Sequence, residues 1–153
     1  AKVGSYAFTT LEPNLGVILP LQKGAHAKRE GFILADIPGL IEGASRGKGL
    51  GTTFLRHIAR TKLLLHCISL EEQDIISSYT TVRRELIAHA PELKGKKEML
   101  VLTKADTKDA KDTQKAVSSL KKKNKNILVV SIIDYALLKE FKKELLTLLN
   151  IGC

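Results

Sequence analysis

Residues 99–106 read Met99-Leu100-Val101-Leu102-Thr103-Lys104-Ala105-Asp106. Four consecutive apolar residues followed by a polar break mark the end of a strand buried on both faces of a parallel sheet. Leu63-Leu64-Leu65 and Ile127-Leu128-Val129-Val130 have the same continuous character. Together with two weaker runs, they predict strands over Leu15–Leu21, Gly31–Asp36, Leu63–Leu70, Glu98–Thr103 and Ile127–Ile132. Helical spacing fills the intervals. Ile75, Ile76, Tyr79, Val82 and Leu86 recur on one helix face. Leu137, Leu138, Phe141, Leu145, Leu148 and Leu149 do so near the end, before a stop at Asn150-Ile151-Gly152. A more polar helix is predicted over Ala110–Lys122 and another over Thr52–Arg60. No internal repeat or linker interrupts this alternation. It implies one α/β domain with helices on both faces of its sheet. In such folds ligands bind at the carboxyl ends of the strands.

The chain has 153 residues, enough for one domain with its own core. No apolar run approaches the ~18 residues of a membrane span, and the first residues carry no apolar signal-peptide core. Cys67 and Cys153 are too few for a disulfide framework or a zinc site. A cytoplasmic location is expected. The net charge is +9. Most of the excess lies between Lys94 and Lys125, where eleven lysines face only Glu98, Asp106, Asp109 and Asp112. That run reads as a solvated lysine-rich face or as a surface for an anionic partner such as RNA. No aromatic residue interleaves these lysines, so stacking on single-stranded bases is not indicated.

The chemistry is expected where the strands end. Phe32-Ile33-Leu34-Ala35 runs into Asp36-Ile37-Pro38-Gly39. A carboxylate there can reach Mg²⁺ through water, and a glycine lets a backbone N–H approach a terminal phosphate. After Leu102, Asp106 stands ready to accept two donors at once. Guanine presents such a pair, N1–H and N2–H₂, and adenine does not. The aliphatic stem of Lys104 would lie over the base plane. At the last strand end, a backbone N–H could meet guanine O6 while Ser131 holds the loop. Upstream, a hydroxyl of Thr9-Thr10 could complete Mg²⁺ coordination. Each feature alone has an ordinary reading as a polar turn; their order along the chain is what carries weight.

With these residues in view, the sequence resembles the GTP-binding domain of Obg-type P-loop GTPases. The resemblance rests on Tyr6-Ala7-Phe8-Thr9-Thr10-Leu11-Glu12-Pro13-Asn14-Leu15-Gly16 and on Ala35-Asp36-Ile37-Pro38-Gly39-Leu40-Ile41-Glu42-Gly43-Ala44-Ser45. It rests equally on residues 47–61, which begin Gly47-Lys48-Gly49-Leu50-Gly51-Thr52. It covers essentially the whole chain and weakens after Glu71. It implies a three-layer αβα sandwich that binds GTP and GDP with Mg²⁺ and hydrolyses GTP slowly. It also implies association with the large ribosomal subunit during its assembly, and a link to stress responses. Thr9 and Thr10 match switch I, with Thr10 favoured as a metal ligand. Asp36, the second metal-binding residue, and Gly39 match switch II. Thr103, Lys104 and Asp106 match the base-recognition motif, and Ser131 with Ile132 the last guanine-binding motif. No catalytic residue is assigned.

The sequence departs from the family at two places. Thr103 stands where the family has Asn, and a hydroxyl makes fewer hydrogen bonds than an amide. Ser131-Ile132-Ile133 replaces Ser-Ala and a glycine-rich turn, so Ile132 is expected to crowd the base. Leu40 follows Gly39 where many GTPases place a water-orienting Gln; the family shares that apolar residue, so another water-positioning device is expected. In addition, no G-x-x-x-x-G-K-[ST] occurs in the 153 residues. The resemblance puts that P-loop, with the first and central strand, directly before Lys2. The expectation is an N-terminally truncated domain running from switch I to the last motif, which alone binds nucleotide poorly. Two other readings share these features: a basic ribosome- or RNA-binding module, and a degenerate GTPase without turnover.

Overall fold

The computed structural model describes residues 15–18, 32–36, 61–89 and 91–149. The helix expected over Thr52–Arg60 and the stop at Asn150–Gly152 lie outside them. Two sheets form. In the first, β1 (Leu15–Ile18) and β2 (Phe32–Ala35) pair antiparallel, with Leu15 opposite Ala35 and Ile18 opposite Phe32. In the second, β3 (Leu64–Ser69), β4 (Glu98–Thr103) and β5 (Ile127–Val129) are parallel in that order, with Leu64 opposite Glu98 and Leu100 opposite Ile127. Among the described residues β2 and β3 do not pair.

Among the described residues, three α-helices connect and follow the parallel strands: α1 (Ile75–His89), α2 (Ala110–Leu120) and α3 (Tyr135–Leu148). Each opens on an aspartate whose carboxylate accepts backbone N–H groups left over at the helix start. Asp74 takes Ile76 and Ser77 at 3.1 and 2.9 Å, Asp109 takes Asp112 at 2.7 Å, and Asp134 takes Ala136 and Leu137 at 2.9 and 3.1 Å.

The alternation of side chains along a strand builds the core twice. Ile68, Leu100, Leu102, Ile127 and Val129 point to one face, where α1 contributes Ile75 and Tyr79 and α2 contributes Ala116, Val117 and Leu120. Leu65, Met99, Val101 and Leu128 point to the other, against Leu138, Phe141, Leu145 and Leu148 of α3. Ile18 and Phe32 of the small sheet pack on this second cluster. Helices on both faces of the parallel sheet are thus observed, as expected.

Several boundaries differ from the sequence reading. The last strand ends at Val129, short of Ile132, because the chain turns at Ser131 to reach the Asp134 cap. The ladder still gains one bond beyond it, Val130 N–H to Leu102 O at 2.8 Å. α2 ends at Leu120, not Lys122, and β3 stops at Ser69. Ile76 does not join the buried face of α1.

Candidate functional site

The loops after β4 and β5 meet at the carboxyl end of the parallel sheet. Ala105 N–H donates to Val130 O at 3.2 Å, tying one loop to the other. The hydroxyl of Thr103 donates to Ile68 O at 3.4 Å and its carbonyl accepts from Leu70 N–H at 3.0 Å, so β3 and β4 are bound together at the same end. Lys104 then takes a left-handed conformation, φ 58° and ψ 44°. For a residue other than glycine this costs about 1–2 kcal/mol, so surrounding bonds must hold it. Thr107 supplies two of them, its N–H and hydroxyl donating to Lys104 O at 3.0 and 2.8 Å.

The side chains of this loop are also held. The Lys104 ammonium donates to Glu71, which follows β3. This hydrogen bond and the charge behind it hold the Lys104 pKa above its ordinary value, with Asp106 and Glu72 adding to the effect. The Ser131 hydroxyl donates to Oδ1 of Asp106. Ser131 is only 1% exposed, and its oxygen accepts Ile133 N–H at 3.3 Å, which turns the hydroxyl proton toward Asp106. The carboxylate is therefore oriented by a buried donor on one oxygen, while the residue itself meets solvent. The Ile132 N–H donates to no group among the described residues. Ile132, Ile133 and Tyr135 stand 87%, 76% and 80% exposed around it.

Lys104, Asp106, Ser131 and Ile132 thus share one loop cluster, with Thr103 beneath it. Asp36 stands apart, exposed at the end of β2. It is near enough to β3 to act on Cys67. Cys67 is exposed as a residue, yet burial of its thiol, first, and the Asp36 charge, second, push its pKa up. Thr9, Thr10 and Gly39 lie outside the described residues. Two features were missed by sequence reasoning. The Glu71 tether of Lys104 had no sequence signal beyond an acid after an apolar run. The Ser131–Asp106 bond was anticipated only as a serine holding its own loop.

A family model described as 50S ribosome-binding GTPase matches residues 1–104. The chain belongs to this GTPase family. It is also 47% identical over 108 residues to a protein named GTPase Obg from Parabacteroides distasonis, a match covering 71% of this chain. The chain spans about a quarter of the length of that relative (26%). The resemblance to Obg-type GTPases read from residues 6–16, 35–45 and 47–61 is therefore borne out. The GTPase family match runs through Lys104 and stops before Asp106 and Ser131. Among the described residues no helix is long and apolar enough to cross a membrane.

Proposed function

We propose that this chain is the guanine-nucleotide-binding part of an Obg-type GTPase that binds GTP and GDP with Mg²⁺ and hydrolyses GTP slowly. The observation that carries the reading is the Asp106 carboxylate at the end of β4, turned by the buried Ser131 hydroxyl. In this reading its remaining oxygen positions accept guanine N1–H and N2–H₂. The Lys104 stem covers one face of the base, the Ile132 N–H donates to O6, and Thr103 ties the loop to β3.

Mg²⁺ fits the donors present. No three His, Cys, Asp or Glu side chains converge among the described residues. A cation held by one carboxylate, one hydroxyl, waters and nucleotide phosphates needs no such cluster, and Mg²⁺ is bound in that way. Asp36 and Thr10 would hold it, and it would neutralise charge on the phosphates. Thr9, Thr10 and Gly39 would respond to the γ-phosphate as the switch segments. In the full-length protein the partner is the large ribosomal subunit, as the family description suggests.

Calorimetric titration of the full-length protein tests the reading. Mg·GDP is expected to bind and Mg·ADP to show no heat at the same concentration. Equal binding of both would remove the Asp106 loop from base recognition. A second expectation concerns Ser131→Ala. Removing a charge-assisted bond to Asp106 costs about 1.4 kcal/mol or more of orientation, a loss of roughly tenfold in GDP affinity. ADP should stay unbound. Unchanged GDP affinity would show that Ser131 does not position the carboxylate.

A further inference from the structure

The opposite end of the parallel sheet carries the lysines. Because β3, β4 and β5 run the same way, the loops that precede them emerge side by side. Leu64 N–H donates to Lys97 O at 3.0 Å and Leu100 N–H to Asn126 O at 2.8 Å, which binds neighbouring loops at their last residues. Lys96 Nζ donates to Thr61 O at 2.6 Å, and Arg83 Nη2 to Lys94 O at 3.0 Å. On this framework Lys62 precedes β3, Lys94 and Lys97 precede β4, and Lys121, Lys122, Lys123 and Lys125 precede β5; all seven are exposed. Adjacent strands lie about 4.8 Å apart, so these charges share a patch some 10 Å across before side-chain reach is added.

Little opposes them. Among the described residues Glu92 is the one carboxylate on the three loops, and Glu98 beside them is turned inward onto His66 and Arg83. At the nucleotide end the balance reverses, with Glu71, Glu72, Asp74, Asp106, Asp109 and Asp134 around the loops. Lysines after a helix suit its negative end, and Lys121–Lys123 follow α2. Seven on three loops exceed what one helix end uses.

We infer that this pole is a docking surface for the phosphate backbone of double-helical RNA, formed by Lys62, Lys94, Lys97 and Lys121–Lys125. The inference rests on the ribosomal reading above and names the surface for it. Lysine is a point charge suited to phosphates, and backbone contact needs neither stacking nor base readout. None of the exposed large apolar side chains among the described residues lies on these loops, so nothing here would insert into a lipid surface.

The test uses the full-length protein with Lys121, Lys122, Lys123 and Lys125 changed to Gln together. Binding to a roughly 20-base-pair RNA hairpin is followed by anisotropy from about 50 to 200 mM salt. Each lost phosphate contact lowers the slope of log K against log salt by about 0.9, so a fall of 3 to 4 is expected, with about 10²-fold weaker binding at physiological salt. A second variant, Lys62→Gln with Lys94→Gln and Lys97→Gln, carries the test if the first fails to fold; its slope should fall by 2 to 3. GDP affinity should not change in either, because the nucleotide loops lie at the other end of the strands. An unchanged RNA slope overturns the inference, as does wild-type binding to phosphatidylglycerol vesicles in preference to RNA. Loss of GDP binding in the wild type would instead count against the nucleotide reading and leave the RNA result to stand alone.

Discussion

Glu98→Ala is expected to destabilise the full-length protein's nucleotide domain by about 3 kcal/mol, as measured by urea unfolding at neutral pH. Glu98 opens β4, and its side chain is only 8% exposed. Oε1 lies 3.0 Å from His66 Nδ1. Oε2 accepts the Tyr79 hydroxyl at 3.4 Å and sits 3.6 Å from Arg83 Nε. The His66 and Tyr79 rings stack with centroids 5.1 Å apart. One carboxylate thus joins β3, β4 and α1 beneath the core. Alanine would leave the Arg83 charge half-buried with no counter-ion, and Arg83 Nη1 already lacks a partner among the described residues. That loss is a large part of a domain's ~5–15 kcal/mol. A change below about 1 kcal/mol would mean that the cluster relaxes into solvent.

The same residue fixes a pH dependence. Burial raises the Glu98 pKa, but the His66 hydrogen bond, the Arg83 and His66 charges and the Tyr79 hydroxyl outweigh it and leave it below its ordinary value of 4.5. The unfolded chain therefore binds this proton more readily than the folded one. Its contribution is complete above about pH 4.5 and is lost as pH falls through the lower folded value. Glu98→Gln should flatten the stability profile below pH 4.5.

The fold was legible where hydrophobicity alone decides it. Met99–Leu102 has no polar residue to suggest an exposed face, and it forms the central, fully buried strand of the described parallel sheet. The antiparallel pairing of β1 with β2 was not legible, because alternation in Leu15–Ile18 and Phe32–Ala35 is too short to reveal a partner. The end of β5 was misjudged for a physical reason. Ile132 and Ile133 extend the apolar run, yet they are solvent-exposed, since Ser131 and Asp134 turn the chain into α3. Composition could not distinguish an apolar turn from an apolar strand. The polar cluster around Glu98 was visible only as His66 inside one apolar run and an acid before another. At the candidate site, residue type and order singled out Lys104, Asp106 and Ser131, which the structure brings into one loop cluster, but gave no sign of the Glu71 and Ser131 bonds that hold Lys104 and Asp106.

Asp106→Asn is expected to exchange guanine for xanthine as the preferred base. The geometry makes the outcome specific. Ile133 N–H occupies the Ser131 oxygen, so the Ser131 proton is committed to Oδ1 of residue 106. In the variant, the asparagine carbonyl oxygen should take that donor, leaving the amide NH₂ where Oδ2 stood. Two donors, this NH₂ and guanine N2–H₂, would then face each other. Losing an acceptor for guanine and leaving its donors unpaired costs about 3 kcal/mol, more than a hundredfold in affinity. Xanthine carries a carbonyl at C2 in place of the amine, so the same NH₂ would donate to it.

Titrating the full-length protein and its Asp106→Asn variant with fluorescent GDP and XDP, both with Mg²⁺, tests this account most directly. The wild type should prefer GDP, and the variant should lose GDP by a hundredfold or more while gaining XDP. Retained preference for GDP in the variant would contradict the assignment of the β4 and β5 loops as the base-binding site.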